Sequence, residues 1–466
     1  MRKNITILWI LAVSSPILIS ISFAQAPDTA WTRVYGEFID EIASSIHQTS
    51  DNGYIISGYS GEGILNHPYD ILLIKTDFNG DTVWAKSYGG VLEEVGYSAI
   101  QTSDGKYVIA GYTNSFGAGG RDLFIVKADE NGDTLWTRTY GGADNDEGYS
   151  VIETADSAYL IAGYTASFGA GFNDVYLIKI DINGDTLWTK TTGDSLRQEG
   201  RSIAATSDGG YIITGLTGAI STDVYLIKVD ENGDTLWTRS YDSILRDAGN
   251  YVQQTSDGGY IIAATSCGTT PDDPCSGYLI KTDRLGDTLW TSPSISGGLA
   301  GVLETVSGEF LATGGNYDPR QVPVVIELAV VKVDLNGETL WTEIFEGAIG
   351  KSLALTNDGG FIIAGDHIIY GCYYILGDVN GSRNYNGLDI TYGVAFFKGG
   401  PSPICPTCPH SPQWYYCGDV NGSCSYNGVD ITYGVAYFKG GPEPVPIPDF
   451  PPGGNTDVYL LKFSPQ

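Results

Sequence analysis

Seven tryptophans keep step along this chain. Trp31, Trp84, Trp136, Trp188, Trp237, Trp290 and Trp341 lie 53, 52, 52, 49, 53 and 51 residues apart. A second series, Tyr54, Tyr107, Tyr159, Tyr211, Tyr260, Phe310 and Phe361, holds nearly the same spacing, and a lysine that closes an apolar run, at Lys75, Lys127, Lys179, Lys228, Lys281, Lys332 and Lys462, keeps it up to Lys332. Self-similarity at a period of about fifty residues marks a repeat architecture whose units bury their faces on one another. We read all three series as packing positions of stacked units rather than as a site.

Each repeat divides into four strand-length pieces, for example 148–154, 159–165, 174–179 and 185–191, joined by short turn signals, so the unit is a four-stranded antiparallel meander. The third piece is apolar on both faces (Val224, Tyr225, Leu226, Ile227), which requires neighbours above and below it. The turn before the fourth piece carries Asn79-Gly80 and its equivalents at Asn131, Asn183, Asn232 and Asn336, a pair that suits a type I′ hairpin. The repeats begin in a Trp-bearing fourth strand, 29–35, and end in a third strand, 457–463, with no fourth after it. The first strand can therefore complete the last sheet, and the expected fold is all-β: a seven-bladed β-propeller closed by its N-terminal strand. Turns after the first and third strands then share one face. The variable loops after the second and fourth, such as 114–121, 143–147 and 267–275, share the other, where binding is expected.

Residues 1–24 read as an export signal, with Arg2 and Lys3 ahead of an apolar run and small residues at Ser22, Ala24 and Ala26; an uncleaved anchor is the alternative reading. The remaining divisions are 25–366 for the propeller, 367–454 for an insert in the last blade and 455–466 for the last propeller strand. No membrane span is expected after signal cleavage. A net charge of −30 with 25 Lys+Arg excludes sequence-independent nucleic-acid binding, which depends on cationic side chains neutralising phosphates. Of seven cysteines, Cys267 and Cys275 are placed to staple one loop. The other five, Cys372, Cys405, Cys408, Cys417 and Cys424, have no deducible pairing.

The insert is visible because Lys332 and Lys462 stand 130 residues apart, about eighty more than one repeat needs. It holds a duplicated segment, Gly377-Asp-Val-Asn-Gly-Ser through Asp389-Ile-Thr-Tyr-Gly393 and again from Gly418 to Gly434. Oxygen-bearing residues fall at Asp378, Asn380, Ser382, Asn386 and Asp389, then at Asp419, Asn421, Ser423, Asn427 and Asp430. Alternating oxygen donors ending in a carboxylate at position 12 can wrap Ca²⁺, giving two expected calcium sites, each followed by a short helix. These segments resemble a type I dockerin over about 377–441. The resemblance implies a small α insert, bound calcium and a cohesin-like partner. Position 6, usually glycine, is Arg383 in one copy and Cys424 in the other, and position 5 is Ser382 or Ser423 where aspartate is usual; fewer charged ligands weaken calcium binding. Cys405-x-x-Cys408 near His410 is alternatively a zinc site. The Trp-Thr, Tyr-Gly-Gly and Asp-Gly-Gly-Tyr phrases resemble bacterial secreted repeat proteins, which implies an extracellular or surface location and no particular chemistry.

No catalytic residues are assigned. His47, His67, His367 and His410 form no legible triad, and Gly117-Ala-Gly-Gly120 precedes no helix that could cradle phosphate. The expected function is a secreted or cell-surface, non-catalytic binding or scaffold protein, monomeric, facing an extracellular protein or glycan. The alternative is an extracellular polysaccharide-active enzyme with its site at the propeller axis. Acids clustered with aromatic platforms at the axis would favour the enzyme.

Overall fold

The computed structural model describes residues 29–35, 40–61, 68–219, 221–241, 245–268, 275–318, 325–368 and 456–464. These form seven antiparallel sheets in the sequential order that a meander dictates. Blade 1 comprises Asp40–Gln48, Tyr54–Gly61, Asp70–Thr76 and Thr82–Tyr88. Blades 2, 3, 4 and 6 repeat that plan, and blade 5 does so with its fourth strand split into Thr288–Thr291 and Ile295–Ser296. Blade 7 takes three strands from the end of the chain, Ala348–Leu355, Phe361–Ile368 and Thr456–Phe463, and its fourth, Thr29–Tyr35, from the beginning. That strand lies antiparallel to Thr456–Phe463 with Trp31 opposite Lys462 and Tyr35 opposite Val458. The first strands of successive blades adjoin one another in a ring, the first blade meeting the seventh, so they surround the axis.

The core lies between blades, not within them. Ile55 and Leu73 of blade 1 pack with Tyr107, Ile109 and Val126 of blade 2, all at most 2% exposed. Third strands are buried on both faces, as in Asp122–Ala128, where every residue is buried. The Trp and Gly series share their period for a reason: Trp31 lies so close over the Gly80 turn of the next blade that a Cβ there would stand 2.7 Å from its ring, and Gly80 has φ +80°. Trp84 over Gly132 and Trp237 over Gly286 repeat the contact. These tryptophans are partly buried, so each contributes less than the ~1.5–3 kcal/mol of a fully buried apolar side chain.

One turn differs from its expected geometry. In the turn carrying Asn79-Gly80, Gly80 N donates to Asp77 O and Asp77 N to Asp81 O, which describes a type I turn completed by a left-handed glycine and a bulge. Positive φ is confined to the glycine, Gly80, and is absent at Asn79, so the type I′ assignment is corrected. The reason lies two residues before the asparagine. The Asp77 carboxylate accepts from both Asn79 N and Asp81 N and fixes the loop, so asparagine is dispensable. Leu285 occupies its place in blade 5, with Asp283 making the same two bonds.

No helix occurs among the described residues, and none there is long and apolar enough to cross a membrane. The leader, residues 1–24, and the insert, 369–454, with all ten expected calcium ligands from Asp378 to Asp430, lie outside the described residues, as do His67 and His410. Cys267 and Cys275 are joined by a disulfide.

Candidate functional site

Every first strand carries a bulge, and a bulge re-aims the side chain at which it occurs. In blades 2 and 3 the extra residue is Tyr97, between Gly96 and Ser98, and Tyr149, between Gly148 and Ser150. The equivalents are Ser44, Arg201, Asn250, Ala300 and Lys351. These residues hold equivalent places on the strands that surround the axis, and two neighbouring pairs of them touch. The Tyr97 and Tyr149 rings are 4.8 Å apart, and Arg201 donates to Asn250 at 2.9 Å. The axial ring is therefore not uniform: blades 2 and 3 face it with aromatic side chains, blades 4 and 7 with cations.

Two residues before the bulge, blades 3 and 4 carry Glu147 and Glu199, where other blades carry Ile42, Val95, Ala248, Gly298 and Ile349. Both carboxylates are buried, with side chains 2% exposed. Glu147 accepts from Arg121 Nη1 at 2.8 Å, Tyr164 Oη at 2.9 Å and Tyr97 Oη at 3.3 Å. Glu199 accepts from Arg197 Nε at 2.7 Å and Asn173 Nδ2 at 3.1 Å. The Arg121 guanidinium also lies over the Tyr112 ring, 4.3 Å from its centroid. Burial lifts the Tyr97 and Tyr149 phenols far above their ordinary range, and the Glu147 charge adds to it, so both remain neutral donors. Burial works against the charge on Arg121, but the bond to Glu147 more than offsets it and its pKa is raised.

This mouth contains the acids and rings that a catalytic reading asks for. Both Glu147 oxygens and Glu199 Oε1, however, are already held by guanidinium, amide and phenol donors, and Glu199 Oε2 has the Arg201 guanidinium 3.8 Å away. A glycosidase needs one carboxyl poised to give its proton and another free to attack or to activate water; a carboxylate clamped by arginine is organised for neither. The only histidine described on a first strand, His47, has its pKa lowered by desolvation. Among the described residues no group of three or more His, Cys, Asp or Glu side chains is arranged to hold a metal.

The loops on this face carry a row of exposed apolar side chains: Val91, Leu92, Phe116, Phe168, Phe172 and Leu196. Neighbouring loops are locked together beneath them. Leu92 N donates to Ser115 Oγ, Asp144 N to Ser167 Oγ, and Gly120 N to Ala143 O. Loops 114–121 and 143–147, expected to be a binding surface, do adjoin. Glu147, Glu199 and their arginines were not singled out by sequence; the available signal was a carboxylate at a repeat position otherwise apolar or glycine.

No protein-family model matches the chain. It is 27% identical over 133 residues to the regulatory protein FlaEY of Caulobacter vibrioides, a match spanning 26% of this chain and 13% of that protein. Among solved structures it is similar to the C-terminal WD40 domain of Sif2, at 11% identity and TM-score 0.43, covering 75% of this chain and 85% of that one. It is also similar to Sqt1 from Chaetomium thermophilum, at 12% identity and TM-score 0.40, covering 72% and 97%. The Dos1 propeller aligns at 12% identity and TM-score 0.39, covering 69% and 78%. The seven-bladed propeller rests on the strand pairing itself.

Proposed function

We propose that this protein is an exported, non-catalytic binding protein that holds an extracellular protein or glycan on the variable-loop face of its propeller. The observation that carries the reading is the apolar row on blades 1 to 4, in which Val91 is 83% and Phe172 81% exposed. Single exposed apolar residues are ordinary, but a row of them on interlocked loops with polar groups beside it is the make-up of a docking surface. The disulfide between Cys267 and Cys275 supports an oxidising compartment, in keeping with the leader-like residues 1–24. The inserted module, 369–454, adds a second surface. Its loops offer Asp378, Asn380, Ser382, Asn386 and Asp389, and Asp419, Asn421, Ser423, Asn427 and Asp430, to two Ca²⁺ ions, in a dockerin-like arrangement suited to a cohesin-like partner.

The test is capture from a native envelope and culture-supernatant fraction. A chain carrying Phe168→Ser with Phe172→Ser should lose the partner that the wild type retains, with an unchanged melting temperature. Retention undiminished by both changes contradicts the proposal. The rival, a polysaccharide-active enzyme at the axis, draws support from the proximity of Tyr97, Tyr149, Glu147 and Glu199, and is weakened by the donors that occupy both carboxylates.

A further inference from the structure

Blade 5 breaks the repeat in a way the docking row does not explain. Fourth strands of blades 1 to 4 run seven residues, as in Thr82–Tyr88 and Thr235–Tyr241, whereas that of blade 5 stops after four, Thr288–Thr291. Pro293 has no N–H to offer the ladder. Ser292 closes the strand instead, its N–H donating to Leu279 O at 3.0 Å and its Oγ accepting from Leu279 N at 2.9 Å. The chain rejoins the sheet at Ile295, opposite Gly277. Counted from the tryptophan, Ser294 aligns with Tyr88, Tyr140 and Tyr241 of blades 1, 2 and 4, but in register Ile295 takes their place opposite the third strand, and Ser294 is left in the irregular stretch before it.

A cleft of about 600 Å³ lies here, lined among others by Tyr241, Asp247, Ser266, Ser276, Tyr278 and Ser294. Asp247 is only 2% exposed. One of its oxygens, Oδ2, accepts from Tyr278 Oη at 3.0 Å, while Oδ1 is buried with no hydrogen-bond partner. A buried acceptor left unpaired costs roughly 1–3 kcal/mol. Asp70, Asp146 and Asp174 carry the same orphaned oxygen, and Asp247 differs in lining a cleft from which a ligand that brings a donor and displaces its cover would relieve that cost. Ser266 and Ser276 face each other in register beside the Cys267–Cys275 disulfide, which holds both strand ends in place.

We propose that this cleft binds a neutral saccharide. Hydroxyl side chains can donate or accept, the Asp247 oxygen accepts, and the two tyrosines supply ring faces, which together match a sugar ring edge and face. An anion is disfavoured by Asp247 and by the net charge of −30. An apolar ligand would leave Asp247 Oδ1 buried and unpaired. An organic cation would call for further acids or an aromatic cage, whereas the remaining polar lining is hydroxyl. The volume suits one or two sugar units.

The experiment is saturation-transfer NMR on the full chain with D-glucose, D-galactose, D-mannose, D-xylose and N-acetyl-D-glucosamine, with methylammonium as the cationic control. At least one sugar should receive transfer, Asp247→Ala should weaken it about tenfold or more, and Ser294→Tyr should abolish it while the melting temperature holds. Ser276→Trp gives a second blocked variant that leaves Asp247 in place. Transfer to no sugar, transfer to methylammonium alone, or sugar binding unchanged in both blocked variants overturns the proposal. None of these variants touches Phe168 or Phe172, so the docking row stands or falls separately.

Discussion

The lysine that ends each third strand is a structural charge. Lys75, Lys179, Lys228, Lys281 and Lys462 are each nearly buried and pair with Asp51, Asp156, Asp208, Asp257 and Asp358 of the first turn at 2.9–3.1 Å. Lys127 with Asp104 and Lys332 with Glu309 complete the set. The lysines are legible by period as packing positions but not as ion pairs, because the acid lies 20 to 24 residues earlier, or 104 for Lys462 across the insert, and only the antiparallel register brings the two together. Burial pushes the Asp208 carboxyl up, yet the Thr206 hydroxyl, the Lys228 ammonium and Gly210 N–H more than offset it and hold it at about 2. Asp257 is likewise held at about 2, and the other five acids are also lowered. A carboxyl depressed on folding stabilises fully above its unfolded value and loses that contribution as pH falls through the folded one. Stability should therefore fall from about pH 4 toward pH 2, by an amount limited by the solvent exposure of the acids. Melting curves across that window should be flatter for Asp208→Asn with Asp257→Asn than for the wild type. Parallel curves would refute the assignment.

At the scale of the element, the departures from the repeat are as informative as the repeat. Trp84, Trp136 and Trp290 each donate through Nε1 to a carbonyl in the next blade's last turn, and Tyr88 and Tyr140 reach that turn's glycine carbonyl. Blade 6 is followed by the seam, where the third strand belongs to the end of the chain and the fourth to its beginning, so no such turn connects them. Trp341 Nε1 is accordingly buried without a partner. Phe345 stands where the tyrosine would be, packed on Phe463, and Glu343 stands where Lys86 or Arg239 would reach an aspartate. Tyr140→Phe should cost about 0.5–1.5 kcal/mol, the worth of one hydrogen bond, whereas Phe345→Tyr should restore nothing. Chemical denaturation of the two variants checks this, and a gain from Phe345→Tyr would count against the seam. Strands and blade count were legible from period and alternation, because stacked sheets demand repeated residues. The axial ion pairs and the cleft in blade 5 were hidden, because both arise where one copy departs from the others. For the insert, the expected outcome is that chelation lowers the melting temperature of its transition in the full chain, and that Asp378→Ala with Asp419→Ala removes the response. Identical curves with and without chelator would exclude calcium.

For the whole molecule, function depends on closure. A ring fixes which loops share a face, and so places the apolar row of blades 1 to 4 and the cleft of blade 5 on surfaces that an open array would hold differently. The seventh sheet buries Ile362, Leu460 and Leu461 to 0% exposure, and its N-terminal strand covers an edge that would otherwise be left unpaired. Thermal unfolding of a chain lacking residues 29–35 tests this most directly. Closure predicts that removing one exposed-looking strand lowers the melting temperature of the entire propeller in a single cooperative transition; a wild-type melting temperature after the deletion would contradict it.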